Sequence, residues 1–75
     1  MSNQMYLVVQ TADIEIIAIE SFKNKTSAME HFEAIMEEDN LIEEDVDCRN
    51  ELGGTLRIAG DDCACVQLIE RKIKG

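Results

Sequence analysis

The chain is 75 residues long, carries a formal net charge of -9 and is 45% hydrophobic. A core this small only just supports independent folding, so we expect one domain over residues 1–75. Apolar residues grouped in runs exclude general disorder despite the acidity. No apolar run reaches the roughly 18 residues of a membrane span, and residues 1–10 lack a signal-peptide pattern. We therefore expect a cytoplasmic protein.

Two β-branched runs near the start of the chain predict a hairpin. The runs Met5–Val9 and Ile14–Ile19 flank a short polar link, and they predict antiparallel strands over about 5 to 10 and 14 to 21. Alternation places Ile17 and Ile19 on the face opposite Ile16, so both faces of the sheet carry aliphatic side chains. One helix covers only one face. The other face is expected to be covered by another part of the chain or by another molecule.

A helix follows the hairpin. Its N-cap is either Ser27, with Glu30 completing a capping box, or Asn24, which starts a helix one turn longer. Its apolar residues fall on one stripe of the width that a core-facing helix uses. These residues are Ala28, Met29, Phe32, Ile35 and Met36.

The helical periodicity stops at Asp39 and Asn40, and the sequence is consistent with two structures after that point. In one, Asn40 adopts the left-handed conformation and Leu41 packs over Met36, as in a Schellman ending. In the other, Asn40 caps a short second helix over residues 41–46, with Glu43 at its third position. Both alternatives remain open at this level.

The last third of the chain predicts two more strands. Gly53 and Gly54 indicate a turn before a strand over about 55 to 59, and residues 60–62 indicate a second turn before a long strand, Cys63 to Ile73. The expected order is ββαββ. We therefore predict an α+β fold with a four-stranded antiparallel sheet packed by one principal helix.

The whole net charge falls in one segment. Residues 30–51 contain ten acids and one base, whereas six acids balance six bases elsewhere. Glu37, Glu38 and Asp39 crowd the C-terminal turn of the helix, where the macrodipole disfavours each acid by about 0.3 to 1 kcal/mol. Local rules that are broken without compensation are typical of functional positions.

This charge distribution predicts a non-enzymatic interaction module. Its field repels nucleic acid and anionic lipid, so we predict no direct nucleic-acid or membrane binding but a basic protein partner, a class that includes nucleic-acid-binding proteins. In size and charge the chain resembles the small acidic inhibitors of phages and mobile elements that mimic DNA. The predicted partner-binding residues are Glu33, Glu37, Glu38, Asp39, Glu43, Glu44, Asp45 and Asp47.

The alternative hypothesis is a structural or assembly subunit in which the acids only confer solubility. Tyr6, Val8, Ile17 and Ile19 are expected to form an apolar patch on the sheet face away from the helix. Burial of this patch in a homodimer would supply core that so small a monomer lacks.

Neither catalysis nor metal binding is predicted. Any intramolecular disulfide among Cys48, Cys63 and Cys65 leaves one cysteine unpaired, so we interpret all three as thiols in a reducing compartment. His31 would complete a Cys3His set, but the C-x-C spacing does not suit one tetrahedral zinc site. His31 is also predicted on the solvent face of the helix, away from a nucleophile. We predict no cofactor and no enzymatic activity.

Overall fold

The structure is a computed structural model that describes residues 3–13, 15–46, 54–61 and 63–73. A helix packs on an antiparallel sheet whose strands lie in the spatial order β2-β1-β5-β4-β3. The elements are β1 (Asn3–Ala12), β2 (Glu15–Phe22), α1 (Lys25–Glu38), β3 (Glu43–Glu44), β4 (Thr55–Gly60) and β5 (Ala64–Ile73).

The predicted α+β class is confirmed, but within the described residues the sheet has five strands and the order is ββαβββ, not ββαββ. The additional strand is β3, which contains only Glu43 and Glu44. These two residues show no β-branched pattern, so their sequence does not predict a strand. They form one because they pair with Ala59 and Ile58 of β4, and the adjacent Gly60 amide donates to the Ile42 carbonyl at 2.9 Å.

The helix begins at the earlier of the two predicted caps. The Asn24 side-chain oxygen accepts hydrogen bonds from the backbone amides of Thr26 at 2.7 Å and Ser27 at 3.4 Å. Asn24 itself has extended backbone angles, as an N-cap residue requires. The longer helix is therefore the one that forms.

The helix ends in a Schellman motif. Asn40 is left-handed with φ of 55°, the Leu41 amide donates to the Met36 carbonyl at 2.8 Å, and the Asn40 amide donates to the Glu37 carbonyl at 3.3 Å. The alternative second helix over residues 41–46 is wrong. Backbone pairing of residues 43–44 with β4 is incompatible with a helical turn there.

The core lies between α1 and the sheet. Phe32 and Ala28 of the helix are fully buried against Val8 of β1 and Val66 and Leu68 of β5. Val8 pairs with Leu68 across the β1–β5 ladder, so the two strands present one apolar face to the helix. The helical stripe predicted from the sequence forms this core.

The opposite face of the sheet is also partly closed. Ile58 of β4, together with Cys65 and Ile69 of β5, is buried although none of these residues belongs to the helix-facing cluster. Ile58 pairs with Gln67, whereas Val66 faces the helix, so Ile58 lies on the far side. The chain itself therefore covers the β4–β5 half of this second face.

A β-bulge changes which isoleucines share a face of β2. Gln10 of β1 pairs with Ala18 while the next residue, Thr11, pairs with Ile16, so Ile17 is the inserted residue. Ile19 pairs with Val9, which lies two residues from Thr11 on the same face of β1. The predicted alternation is therefore wrong at this point, because Ile16 and Ile19 lie on one face.

The predicted apolar patch is only half present. Tyr6 and Val8 are buried in the core beneath α1, so they do not share an open face with the β2 isoleucines. Ile16, Ile17 and Ile19 are exposed by 62%, 61% and 55%. The exposed part of the predicted patch is thus confined to the outermost strand, β2.

The two candidate caps predict different responses to alanine. Asn24→Ala is expected to lower the free energy of unfolding by about 1 kcal/mol, because two helical amides lose their acceptor. Ser27→Ala is expected to change it by much less, since Ser27 lies inside the first turn. Urea unfolding followed by circular dichroism measures both. An equal loss in the two variants would contradict capping by Asn24.

Candidate partner-binding surface

Arg57 of β4 binds a side chain of the acidic edge strand β3. Its Nε donates to Glu43 Oε2 at 2.9 Å and its Nη2 donates to Glu43 Oε1 at 2.7 Å, which is a bidentate pair. These hydrogen bonds favour the ionised carboxylate and lower the pKa of Glu43 below its ordinary value of 4.5. The edge strand β3 is therefore held by side chains as well as by its backbone.

Arg57 also reaches the helix. Its Nη1 lies 3.7 Å from Glu33 Oε2, and the centre of its guanidinium lies 4.8 Å from the centroid of the Phe32 ring. A cation over an aromatic face is attracted by the ring quadrupole. Glu33 and Glu43 were both predicted to bind a partner. In the structure both pair with Arg57 of the same chain, so they stabilise the fold.

The carboxylates at the end of the helix lie in a different environment. Glu37, Glu38 and Asp39 are exposed, and the last turn of α1 contains no basic residue that would compensate the dipole. No second helix begins at Asn40, so no helix N-terminus lies there to offset the unfavourable interaction of these acids with the end of α1.

The remaining predicted residues follow the helix. Glu44 of β3 and Asp45 after it are exposed, while Asp47 lies outside the described residues. We call the exposed set the acidic surface. It consists of Glu37, Glu38, Asp39, Glu44 and Asp45.

A small cleft opens at the β3 end of the sheet. Its volume is about 230 Å³, below the roughly 300 Å³ at which small-molecule pockets usually begin. Its lining combines apolar side chains with two carboxylates: Asn40, Leu41, Ile42, Glu44, Gly60 and Asp61. A cleft of this size accommodates a single side chain of a partner better than a metabolite.

The sequence prediction missed the role of Arg57. Glu43 and Arg57 lie 14 residues apart, so no local spacing rule connects them. One signal was present, namely a base in the middle of the apolar strand TLRIA. A charged residue inside such a strand requires a partner or an exit to solvent.

The chemistry-bearing residues elsewhere are dispersed. The His31 ring is not solvated as predicted but lies 5.3 Å from the Phe22 ring, and its Nε2 is buried without a hydrogen-bond partner among the described residues. Cys63 is exposed and Cys65 is buried, and neither of them forms a disulfide. In the described ranges, no three or more His, Cys, Asp or Glu side chains are grouped to hold a metal ion. No helix in those ranges is long and apolar enough to cross a membrane.

The Arg57–Glu43 pair predicts a pH-dependent loss of stability. Because the folded-state pKa of Glu43 is lowered, its contribution is present above the unfolded value near 4.5 and is lost as pH falls through the folded pKa. Glu43→Gln is expected to lower the free energy of unfolding by about 0.5 to 1 kcal/mol at pH 7. The difference is expected to disappear as pH falls below 4.5, in urea titrations at stepwise lower pH.

Glu38→Gln is the matched control for this measurement. It removes one exposed carboxylate from the last turn of the helix, where the dipole disfavours it, so a small gain in stability at pH 7 is expected. A Glu43→Gln deficit that persists unchanged at low pH would show that the ionised pair is not its source.

Comparisons of the chain with protein-family models, with curated proteins and with solved structures find no match. The function is therefore inferred from the chain's own residues.

Proposed function

We propose that this chain is a non-enzymatic interaction module that binds a basic protein through the acidic surface. The observation that carries this proposal is the exposed acidic end of α1, Glu37 to Asp39, with no basic residue in the last helical turn. Folding alone favours lysine there. A partner that brings its own cations would supply the missing compensation.

Hydrogen bonding within the helix end supports a role for these acids beyond structure. The carbonyls of Ile35, Met36 and Glu37 already accept backbone hydrogen bonds in the Schellman ending. Ionised carboxylates only accept hydrogen bonds, so the acidic side chains contribute nothing to these carbonyls, and they are presented on a turn that backbone hydrogen bonds hold. Preorganised charge of this kind binds with a smaller loss of side-chain freedom.

The cleft beside the acidic surface indicates how a partner would be held. Leu41 and Ile42 offer apolar contact for the stem of a lysine or arginine, and the acidic helix end directly precedes Asn40 in the lining of the cleft. This combination matches a basic side chain better than an apolar one. We infer that one partner cation inserts here while others contact the helix end.

The class of partner follows from the same chemistry. Carboxylates on a rigid helix end occupy sites that otherwise receive phosphate, so basic nucleic-acid-binding proteins are the partners that this surface suits best. The module would then act as a DNA mimic or inhibitor. We place it in the cytoplasm, since an odd number of cysteines, Cys48, Cys63 and Cys65, suits a reducing compartment.

A second candidate is a structural or assembly subunit whose acids only keep it soluble. The exposed isoleucines of β2, Ile16, Ile17 and Ile19, favour this function. It differs from the first in requiring no basic partner.

Neutralising the helix end is expected to weaken partner binding. Immobilised wild-type protein should retain basic proteins from a cell lysate at about 50 mM salt and release them at about 300 mM, because exposed charges are screened. Glu37→Gln combined with Glu38→Gln is expected to reduce this retention several-fold. Quantitative mass spectrometry of the eluates measures the effect.

Glu30→Lys provides the control, since it shifts the net charge by the same two units at an exposed position outside the acidic surface. It is expected to retain the basic proteins nearly as well as wild type. Equal loss in both variants would mean that net charge, rather than this surface, governs retention. Absence of any enriched basic protein at low salt would contradict the proposal itself.

A further inference from the structure

The outer edge of β2 is open. β2 is the first strand in the spatial order, its inner edge pairs with β1, and no described strand pairs with its outer edge. The strand is eight residues long and contains no proline. Its outward backbone groups therefore offer a template for another strand.

The two edges of the sheet are protected very differently. The edge strand β3 has only two residues, both glutamate, which is how proteins usually discourage pairing at an edge. β2 instead exposes Ile16, Ile17 and Ile19. Long exposed apolar edge strands normally have a partner.

We propose that β2 pairs antiparallel with β2 of a second copy, joining two sheets into one sheet of ten strands. Charge complementarity indicates a second copy as the occupant. Acids stand at the start of the strand, Asp13 and Glu15, and bases follow its end, Lys23 and Lys25. All four are exposed, and antiparallel pairing brings the acidic end of each copy beside the basic end of the other.

The same charges select a register. A two-fold axis normal to the sheet keeps each side chain on its own face, so the axis passes beside one residue of β2. If the axis passes beside Ala18, Glu20 lies opposite Glu15 of the second copy, because the bulge at Ile17 shifts the pairing by one residue. If the axis passes beside Glu20, the two Glu20 side chains lie opposite each other. Like charges directly opposite are destabilising. An axis at Ile19 avoids both pairs and places Ile19 opposite its own counterpart.

The net charge of the chain does not prevent this pairing. Glu43 and Glu44 form the opposite edge of the sheet, about 19 Å from β2 at four strand spacings. This distance exceeds the Debye length of about 8 Å at physiological salt. The dimer would therefore carry its acidic surfaces at its two far ends, as a bivalent module.

Substitution at Ile19 tests the interface. Wild-type protein is expected to have twice the 8.5 kDa monomer mass by light scattering at about 100 μM, in the affinity range of specific interfaces. Ile19→Lys is expected to have the monomer mass and an unchanged circular dichroism spectrum. Ile42→Lys, at an isoleucine that is 79% exposed but lies outside β2, is expected to remain dimeric. A monomeric wild type, or a dimeric Ile19→Lys, would overturn the proposal.

Cross-linking tests the register. In a background with Cys48 and Cys63 replaced by serine, Ile19→Cys is expected to form a disulfide with its counterpart, since opposed Cα atoms lie about 4.5 to 5.5 Å apart. Ile17→Cys is expected to cross-link poorly, because Ser21 of the second copy would lie opposite the bulge that contains Ile17, and not a second Ile17. The reverse result would overturn the register.

Salt separates this inference from the proposed function, on which it does not depend. The β2 pairing is expected to persist between about 50 and 300 mM salt, whereas partner retention by the acidic surface is lost over that range. If the chain dimerises but retains no basic protein at low salt, the β2 interface is supported and the proposed binding by the acidic surface is contradicted. If the chain is monomeric but retains basic proteins, the acidic surface is supported and the β2 interface is contradicted.

Discussion

The arrangement of the acidic segment depends on the guanidinium of Arg57. It contacts carboxylates from two elements, Glu33 of α1 and Glu43 of β3, above the ring of Phe32 in the core. Exposed ion pairs contribute little on average, but this one is bidentate and its cation is only 21% exposed. A two-residue strand has too few backbone hydrogen bonds to hold an edge alone. Arg57 therefore fixes the direction in which the chain leaves the helix.

This cation divides the acidic residues into two groups. Glu33 and Glu43 share one positive charge, so their carboxylates are committed to the fold. Glu37, Glu38 and Asp39 lie at the end of the helix where its dipole disfavours them, and the last turn of the helix contains no basic residue. A surface that existed only for solubility would have no reason to concentrate its charge at the least favourable position. The proposal of partner binding therefore rests on the acids at the helix end and not on Glu33 and Glu43.

Local rules predicted the parts of the fold that local chemistry determines. The helical stripe, the Asn24 cap and the left-handed Asn40 each depend on neighbours within about one helical turn, and each was among the predicted alternatives. Residues 43–44 became a strand for a different reason. Their pairing with β4 is a tertiary contact across 14 or more residues, which overrides a sequence that has no strand preference.

The errors at the candidate surfaces have the same origin. Alternation along β2 assigned Ile16 and Ile19 to opposite faces, and one inserted residue at the bulge placed them together. The pairing of Arg57 with Glu43 was likewise invisible, because strand neighbours are set by topology rather than by spacing. Burial of Tyr6 and Val8 depended on which face of β1 the helix covers. Each case required the register of paired strands, which a single sequence does not specify.

The topology also removes the opposition between the two functional hypotheses. Helix α1 starts beyond the end of β2 and finishes just before β3, and its 14 residues span about 21 Å. Five paired strands at about 4.8 Å spacing cover nearly the same width. β2 and the β3 part of the acidic surface thus lie at opposite edges of the sheet. Because neither edge obstructs the other, self-association through β2 would leave each acidic surface free for a basic partner, and it would double the number presented.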